Sequence, residues 1–221
     1  CRSRSRSSCW ASVLVDDNQI IAFHPGAMDH SHLNHVAEAN EAKDVSLGIL
    51  APDGRAGMLQ HAREFKEAGI PFIFDPGQGM PMFSPEELRH FVSLADYVTM
   101  NDYEAQLMQD KIGEKIEAVA KEVKALIVTQ GGEGSTIYTG GKQVQIPSAK
   151  PDAIVDPTGC GDAYRAGLIH GIQQGWDWHT TGRLASLMGA IKIAQRGGQN
   201  HAPSKAEIGE RFRAAFGRAM P

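Results

Sequence analysis

The sequence predicts an α/β fold in which a mostly parallel sheet is flanked by helices and a small β flap lies near the N-terminus. Short apolar runs, typical of buried strands, alternate with helix-like segments between about residues 45 and 130. Two strand-like runs precede this region, and three helical segments close the chain. Such alternation joins parallel strands through right-handed crossovers, and these sheets bind ligands at the carboxyl ends of their strands.

The N-terminal part of the pattern begins with a hairpin. The two runs in "ASVLVDDNQIIAFHPG" are joined at the turn-prone tripeptide Asp16-Asp17-Asn18. Farther along, Ser84 followed by Pro85 is a strong signal for the start of a helix. Besides that helix, the alternating region is predicted to contain strands over 45–50, 70–75, 96–101 and 125–130 and helices over 31–43, 57–69, 102–109 and 114–124.

The C-terminal part begins with a second hairpin over 135–147, which the turn "GGEG" introduces. Helices are predicted to follow over about 162–174, 178–195 and 204–217. Since no internal repeat and no long linker interrupts the pattern, a single domain is expected.

Composition excludes several classes of function. The 221 residues are 42% hydrophobic and 22% charged, as in ordinary globular proteins, and the net charge of −4 favours neither nucleic acid nor an anionic membrane as a partner. No apolar run reaches the roughly 18 residues of a membrane-spanning helix. The three cysteines form no CxxC pair, which indicates a reducing, cytoplasmic setting.

The first ten residues, "CRSRSRSSCW", differ from the rest of the chain. Their alternating Arg and Ser residues suggest an arm that contacts RNA, but no basic or aromatic platform follows. We therefore expect residues 1–12 to be an atypical end outside the fold and residues 13–221 to form the domain.

The segment "DPTGCGD", Asp156 to Asp162, immediately precedes a helical pattern. Free N–H groups and the helix dipole attract anions to a helix N-terminus, and Gly159 and Gly161 let the backbone approach an anion closely. A carboxylate at Asp162 repels phosphate, yet it suits a base that takes the proton from a hydroxyl attacking that phosphate. Asp162 would equally serve as a helix-capping or first-turn acid.

Two further segments lie where predicted strands end. In "NDYE", Asn101 and Glu104 stand one helical turn apart and could hold a hydrated Mg²⁺, although the same pair would also form a capping box. In "VTQGGEGS", Thr129 precedes Gly131 and Gly134, a small-residue edge that suits a nucleotide or is simply a turn. No GxxxxGK[ST] loop occurs in the chain.

Together these segments resemble the ribokinase (PfkB) family of carbohydrate and nucleoside kinases. "DPTGCGD" is similar to the family signature D-T-x-G-A-G-D, "NDYE" to its N-x-x-E motif, "VTQGGEGS" to its ATP-contacting turn and "GGQNHAP" to its late glycine-containing loop. The four segments occur in the family's order. "DDNQIIAFHPGAM" and "FDPGQGMPMF" look most like bacterial proteins described as adenosine kinase or as PfkB-type sugar kinase. The resemblance implies a ribokinase-like, Rossmann-like fold.

The resemblance also implies catalytic roles for the segment before the helix. Asp162 would be the general base that deprotonates the acceptor hydroxyl. The backbone amides of Gly159, Cys160 and Gly161 would form the anion hole for the transferring phosphoryl group.

Cofactor positions follow from the same resemblance. Asn101 and Glu104 would place Mg²⁺ and its waters at the phosphates of ATP. The residues expected to border ATP are Thr129, Gly131 and Gly134 and, near the adenine, Asn200; the candidate ligands of an activating K⁺ are Asp156 and the carbonyl of Thr158.

The chain departs from the family pattern in three places. Pro157 and Cys160 replace the usual Thr and Ala, both at positions with backbone roles. The segment 77–79, Gly-Gln-Gly, stands where an arginine that meets phosphate often follows Asp75. The family's N-terminal strand and its sugar-gripping Gly-Gly segment do not precede Val13, so we expect an N-terminally truncated domain.

The expected function is transfer of the ATP γ-phosphate to a hydroxymethyl group of a nucleoside, with adenosine as the first choice. The alternatives are a PfkB-type sugar kinase of the ribose or fructose class and a catalytically inactive nucleotide-binding fragment. The expected partners are therefore small molecules, and a homodimer is compatible with the sequence.

Overall fold

The first described element is a two-stranded antiparallel hairpin. The computed structural model describes residues 9–15, 18–38 and 44–221, and in it β1 (Cys9–Val15) pairs with β2 (Asn18–His24). This pairing confirms the predicted β flap. Residues 1–8 and 16–17, which include most of the Arg–Ser segment and part of the turn, lie outside the described residues. β1 begins at Cys9 and so includes residues 9–12, which were predicted to lie outside the domain. The domain boundary at Val13 stays a prediction.

A six-stranded sheet forms the centre of the fold, and its strands lie side by side in chain order. The first four strands of this sheet pair in parallel and the last two join them antiparallel, which confirms the mostly parallel sheet. The six strands are β3 (Gly48–Leu50), β4 (Phe72–Phe74), β5 (Tyr97–Asn101), β6 (Ala125–Thr129), β7 (Ser135–Thr139) and β8 (Lys142–Ile146).

Helices cover both faces of this sheet. The α-helices are α1 (Arg55–Glu67), α2 (Pro85–Leu94), α3 (Asp102–Ile112), α4 (Ile116–Val119), α5 (Cys160–Gln173), α6 (Trp178–Ile193) and α7 (Lys205–Phe216). Successive side chains of a strand point to opposite faces, and because both faces of β6 are covered, its first four residues are all apolar. Its Leu126 and Val128 join the core under α1 to α3, whereas Ala125 and Ile127 join the core under α5 and α6. Within the described residues, no helix is long and apolar enough to cross a membrane.

The helix predicted over 31–43 is wrong over its described part. The chain there forms two short 3-10 helices, Gly26–Leu33 and Val36–Glu38, and residues 39–43 lie outside the described part. The segment is tied to α1 by polar contacts, such as that of His35 Nδ1 with Glu64 Oε1 at 2.6 Å. Leu33 is 67% exposed, so the described part of the segment buries no apolar face of the kind that stabilises a surface α-helix.

The helix predicted over 114–124 is also wrong in length. Only α4 (Ile116–Val119) forms, with both of its terminal side chains buried. Because β6 begins at Ala125, opposite Tyr97, the intervening residues are needed to turn the chain back into the sheet.

Candidate active site

A cavity of about 750 Å³ opens at the carboxyl ends of β5 and β6, beside the start of α5. Sheets of this kind bind ligands at this edge. The strand ends and the helix start are far apart in sequence, and the parallel topology brings them together. Six of the predicted site residues line the cavity: Asn101, Thr129, Gly131, Gly134, Cys160 and Gly161.

Helix α5 begins without a side-chain cap. Its N-cap residue, Gly159, has a left-handed backbone with φ of 80°, whereas α2, α3, α6 and α7 begin at capping side chains. The N–H of Cys160, one of the predicted anion-hole donors, donates to the Pro157 carbonyl at 3.1 Å. The amides of Gly159, Gly161 and Asp162 have no acceptor within the helix, so they are the donors best placed for an anion. The anion-hole role of Gly159, Cys160 and Gly161 stays a prediction.

Carboxylates gather beside this helix start. Asp75, directly after β4, is 1% exposed and is paired with Arg165, whose Nη2 donates to Asp75 Oδ1 at 2.9 Å. The same guanidinium lies 3.7 Å from Asp162, whose side chain is 86% exposed. Burial raises the pKa of Asp75 to about 6, against the effect of Arg165, and the charges of Glu104 and Asp162 raise it further. These acidic groups are therefore close enough to influence one another.

Arg165 is a site residue that the sequence reasoning missed. The segment after Asp75 carries no arginine, and the structure brings one to Asp75 from α5 instead. The guanidinium also lies over Gly161, because a Cβ added there would collide with Arg165 Nη1. Its position one helical turn after Asp162, in "GDAYRAG", is the signal that could have identified it.

Asn101 and Glu104 form the capping box that the sequence also allowed. Asn101 Oδ1 accepts the Glu104 N–H at 2.7 Å, and Glu104 Oε2 accepts the Asn101 N–H at 2.8 Å. No three His, Cys, Asp or Glu side chains converge as metal ligands anywhere in the described ranges. The neighbouring carboxylates nevertheless suit a hydrated Mg²⁺ held through its waters, and this role stays a prediction.

Two of the three glycines in the turn between β6 and β7 face different surroundings. Gly134 has φ of 99° and ψ of −134°, a region that is almost restricted to glycine, and a Cβ there would collide with the Ile146 carbonyl oxygen. Gly131 has φ of 55°, and a Cβ there would meet no atom within 4 Å. Packing therefore demands a glycine at residue 134 but not at residue 131.

We expect Gly134→Ala to lower the free energy of unfolding by at least about 2 kcal/mol, because backbone strain and the clash with Ile146 add together. The matched variant Gly131→Ala should cost only about 1 kcal/mol, the penalty of a left-handed backbone alone. Urea unfolding of both variants measures the difference. Equal losses would show that the clash at Gly134 is relieved at no cost.

Asp156 anchors the loop that leads into α5. Its Oδ1 accepts the Thr158 N–H at 2.9 Å, and its Oδ2 accepts the Gly197 N–H at 2.8 Å. These hydrogen bonds, that from Gly197 most of all, lower the pKa of Asp156 to about 2. The two carboxylate oxygens thus bind one backbone amide in the loop before α5 and one in the loop after α6.

The predicted K⁺ ligands lie next to a positive charge that belongs to the chain itself. The buried Lys192 ammonium donates to the main-chain carbonyls of Asp156 and Gln195 at 2.7 and 2.9 Å. A second cation beside this ammonium would meet strong Coulomb repulsion. The residues present therefore do not fit a potassium ion. A lysine within the apolar run "LMGAIKIA" is the sequence signal that could have pointed to this position.

The remaining walls of the cavity are mostly apolar. Ile154, Ala190 and Ile193 are among the apolar residues that line the cavity, and the sequence did not identify them as such. Asn200 lies in the loop after α6, where its side-chain amide donates to the Arg196 carbonyl at 2.8 Å. Its proposed place near the adenine stays a prediction.

Comparison with known proteins places this geometry in a family. The model of the pfkB family of carbohydrate kinases matches residues 2–205. The nucleoside kinase of Methanocaldococcus jannaschii is 34% identical over 204 residues, which are 92% of this chain and 66% of that protein. The nucleoside kinase of Methanothermobacter thermautotrophicus is 32% identical. The chain spans about two thirds of the length of these two curated relatives.

A solved structure agrees with the sequence match. The Burkholderia thailandensis nucleoside kinase in complex with inosine superposes with a TM-score of 0.93 at 51% identity, over 96% of this chain and 69% of that one. The same enzyme as an ADP-inosine complex gives a TM-score of 0.88 at 53% identity, over 93% and 63%. Motif order, sheet topology and these similarities lead to one conclusion: the chain belongs to the pfkB family of carbohydrate kinases.

Proposed function

We propose that the protein transfers the γ-phosphate of ATP to a hydroxymethyl group of a nucleoside. The observation that supports this most is the start of α5, where the exposed carboxylate of Asp162 adjoins uncapped helix amides at the cavity. The names of the matched nucleoside kinases support a nucleoside as the acceptor. Adenosine is our first choice, and inosine, named in the matched structures, is the next nucleoside to test.

Asp162 would act as the general base. It takes the proton of the acceptor hydroxyl while the hydroxyl oxygen forms a bond to the γ-phosphorus and the bond to the ADP oxygen breaks. The side chain is exposed, so an acceptor can reach it. Arg165, at 3.7 Å from the carboxylate, would help to position Asp162 for the acceptor hydroxyl.

The helix start would stabilise the transferring group. The amides of Gly159, Gly161 and Asp162, together with the dipole of α5, would stabilise the negative charge that develops on the phosphoryl oxygens. Asn101 and Glu104 are the residues that would hold a hydrated Mg²⁺, which neutralises phosphate charge when bound. The apolar side chains of Ile154 and Ile193, which both line the cavity, would offer contacts for a purine ring.

A coupled assay of ADP release separates the candidate functions. With saturating MgATP, we expect adenosine or inosine to be turned over with kcat/KM at least about tenfold above ribose and fructose, because a site built for the base loses that contact with a free sugar. A melting curve with and without MgATP accompanies each assay.

Two outcomes would replace this proposal. Preference for ribose or fructose would make the protein a sugar kinase. A rise in melting temperature with MgATP, but no ADP release with any acceptor, would indicate a nucleotide-binding protein without phosphotransfer activity.

A further inference from the structure

Lys192, near the C-terminal end of α6, is a fully buried charged side chain that the proposed mechanism does not use. A buried ammonium is costly unless its donors are satisfied, and it carries donors only. Two of these donors have partners, namely the main-chain carbonyls of Asp156 and Gln195 at 2.7 and 2.9 Å. The charge is thus held by backbone oxygens, in the way that proteins hold small cations.

The two carbonyls belong to the two loops that meet at the start of α5. The Asp156 carbonyl also lies 3.9 Å from the Cys160 sulfur, and the Asp156 carboxylate accepts the Gly197 N–H. The next residue, Gly198, packs against the N-cap of α5, since a Cβ on Gly159 would lie 2.9 Å from its carbonyl oxygen. Lys192 is therefore linked, through Asp156 and the loop that contains Gly197 and Gly198, to the helix start that would bind phosphate.

A purely structural tie would not require a charge at this position. A neutral amide donor satisfies carbonyls at a lower desolvation cost than an ammonium. The positive charge also acts on its surroundings, because it helps to lower the pKa of Asp156, behind the hydrogen bonds from Gly197 and Thr158. Retaining a charge here is reasonable if the loops beside the phosphates must be held by a cation.

We propose that the Lys192 ammonium is a built-in monovalent cation, which fixes the Asp156 and Gln195 loops at the start of α5 so that phosphotransfer needs no added K⁺. The phosphotransfer part of this inference rests on the proposed function. Lys192 acts through the loops and is a positioning residue.

The first test uses the unaltered protein. Turnover and melting temperature are measured in KCl, NaCl, NH₄Cl and choline chloride at equal ionic strength. We expect both to be the same in all four salts, with turnover constant within about twofold. Strong activation or stabilisation by KCl relative to choline would overturn the proposal without any variant.

The second test removes the charge. Lys192→Ala leaves space beside the two carbonyls, whereas Lys192→Met fills the space without charge. In choline chloride both variants should lose at least about tenfold in turnover, as when one preorganised electrostatic contact is lost. KCl or NH₄Cl should restore activity and raise the melting temperature of Lys192→Ala, but not of Lys192→Met. The exposed control Lys205→Ala should behave like the unaltered protein.

The salt response separates a cation from a structural tie. Equal melting temperatures of Lys192→Ala in KCl and choline chloride would reduce Lys192 to a packing residue and overturn the proposal. If no acceptor is turned over in any salt, the proposed function fails. The melting temperatures then still decide the inference about Lys192, because they do not depend on phosphotransfer.

Discussion

Replacing Asp162 by asparagine is expected to lower turnover by between about a hundredfold and ten-thousandfold while MgATP still raises the melting temperature. Asparagine keeps the shape of the side chain but cannot accept the proton of the acceptor hydroxyl. ATP binding should be unchanged or tighter, because a carboxylate beside the phosphates is removed. The side chain is 86% exposed, so its loss removes little packing.

Single-turnover kinetics and melting curves measure this effect. The matched control is Asp110→Asn, which removes an exposed carboxylate from α3, away from the cavity. If Asp162 were merely a first-turn acid of α5, the substitution would cost at most about 1 kcal/mol of stability and leave turnover unchanged. Turnover within about tenfold of the unaltered protein would therefore make the base assignment wrong.

Features that depend on local sequence were predictable. The apolar strands, the hairpin and the last three helices follow from periodicity and turn residues, and the structure confirms them within a few residues. The residues before α5 were identifiable because glycines and an acid at a helix start predict an anion site from the local sequence alone. By contrast, the helix predicted over 31–43 failed in its described part, where Leu33 is exposed and polar contacts hold the segment to α1.

Features that depend on tertiary contact were not predictable. Asp75 and Arg165 are 90 residues apart in sequence, and only the parallel topology brings α5 to the end of β4. The partners of Lys192 are main-chain carbonyls, which every residue type possesses, so no residue pattern marks them. Sequence motifs thus located the helix start and its acid, whereas the ionic contacts that hold the site could be identified only in the folded structure.

The buried Asp75–Arg165 pair should be essential to both stability and activity. We expect Arg165→Met to lower the free energy of unfolding at pH 8 by about 3–5 kcal/mol, because Asp75 is left as an uncompensated charge at 1% exposure. The double variant Arg165→Met/Asp75→Asn should recover much of this loss, since it removes the stranded charge. The exposed control Arg213→Met should stay close to the unaltered protein.

The loss caused by Arg165→Met should shrink as pH falls. In the unaltered protein the pKa of Asp75 is raised from 3.8 to about 6 by burial, so its contribution to stability is fully present below pH 3.8 and is lost as pH rises through 6. Arg165 opposes this rise, so its removal moves the pKa of Asp75 higher still. At pH 5 Asp75 is then mostly neutral in both proteins, and the penalty is smaller than at pH 8. Urea unfolding at both values tests this, and an equal penalty would contradict the burial of a charged Asp75.

Turnover of the same variants decides whether Arg165 serves the site directly. Its guanidinium lies over Gly161 and 3.7 Å from Asp162, so its loss should lower turnover by about tenfold or more. The double variant restores charge balance around Asp75 but not this contact. Recovery of stability without recovery of turnover would therefore assign Arg165 a role in positioning Asp162. Recovery of both would mean that Arg165 only neutralises Asp75, and that the geometry at the start of α5 does not depend on it.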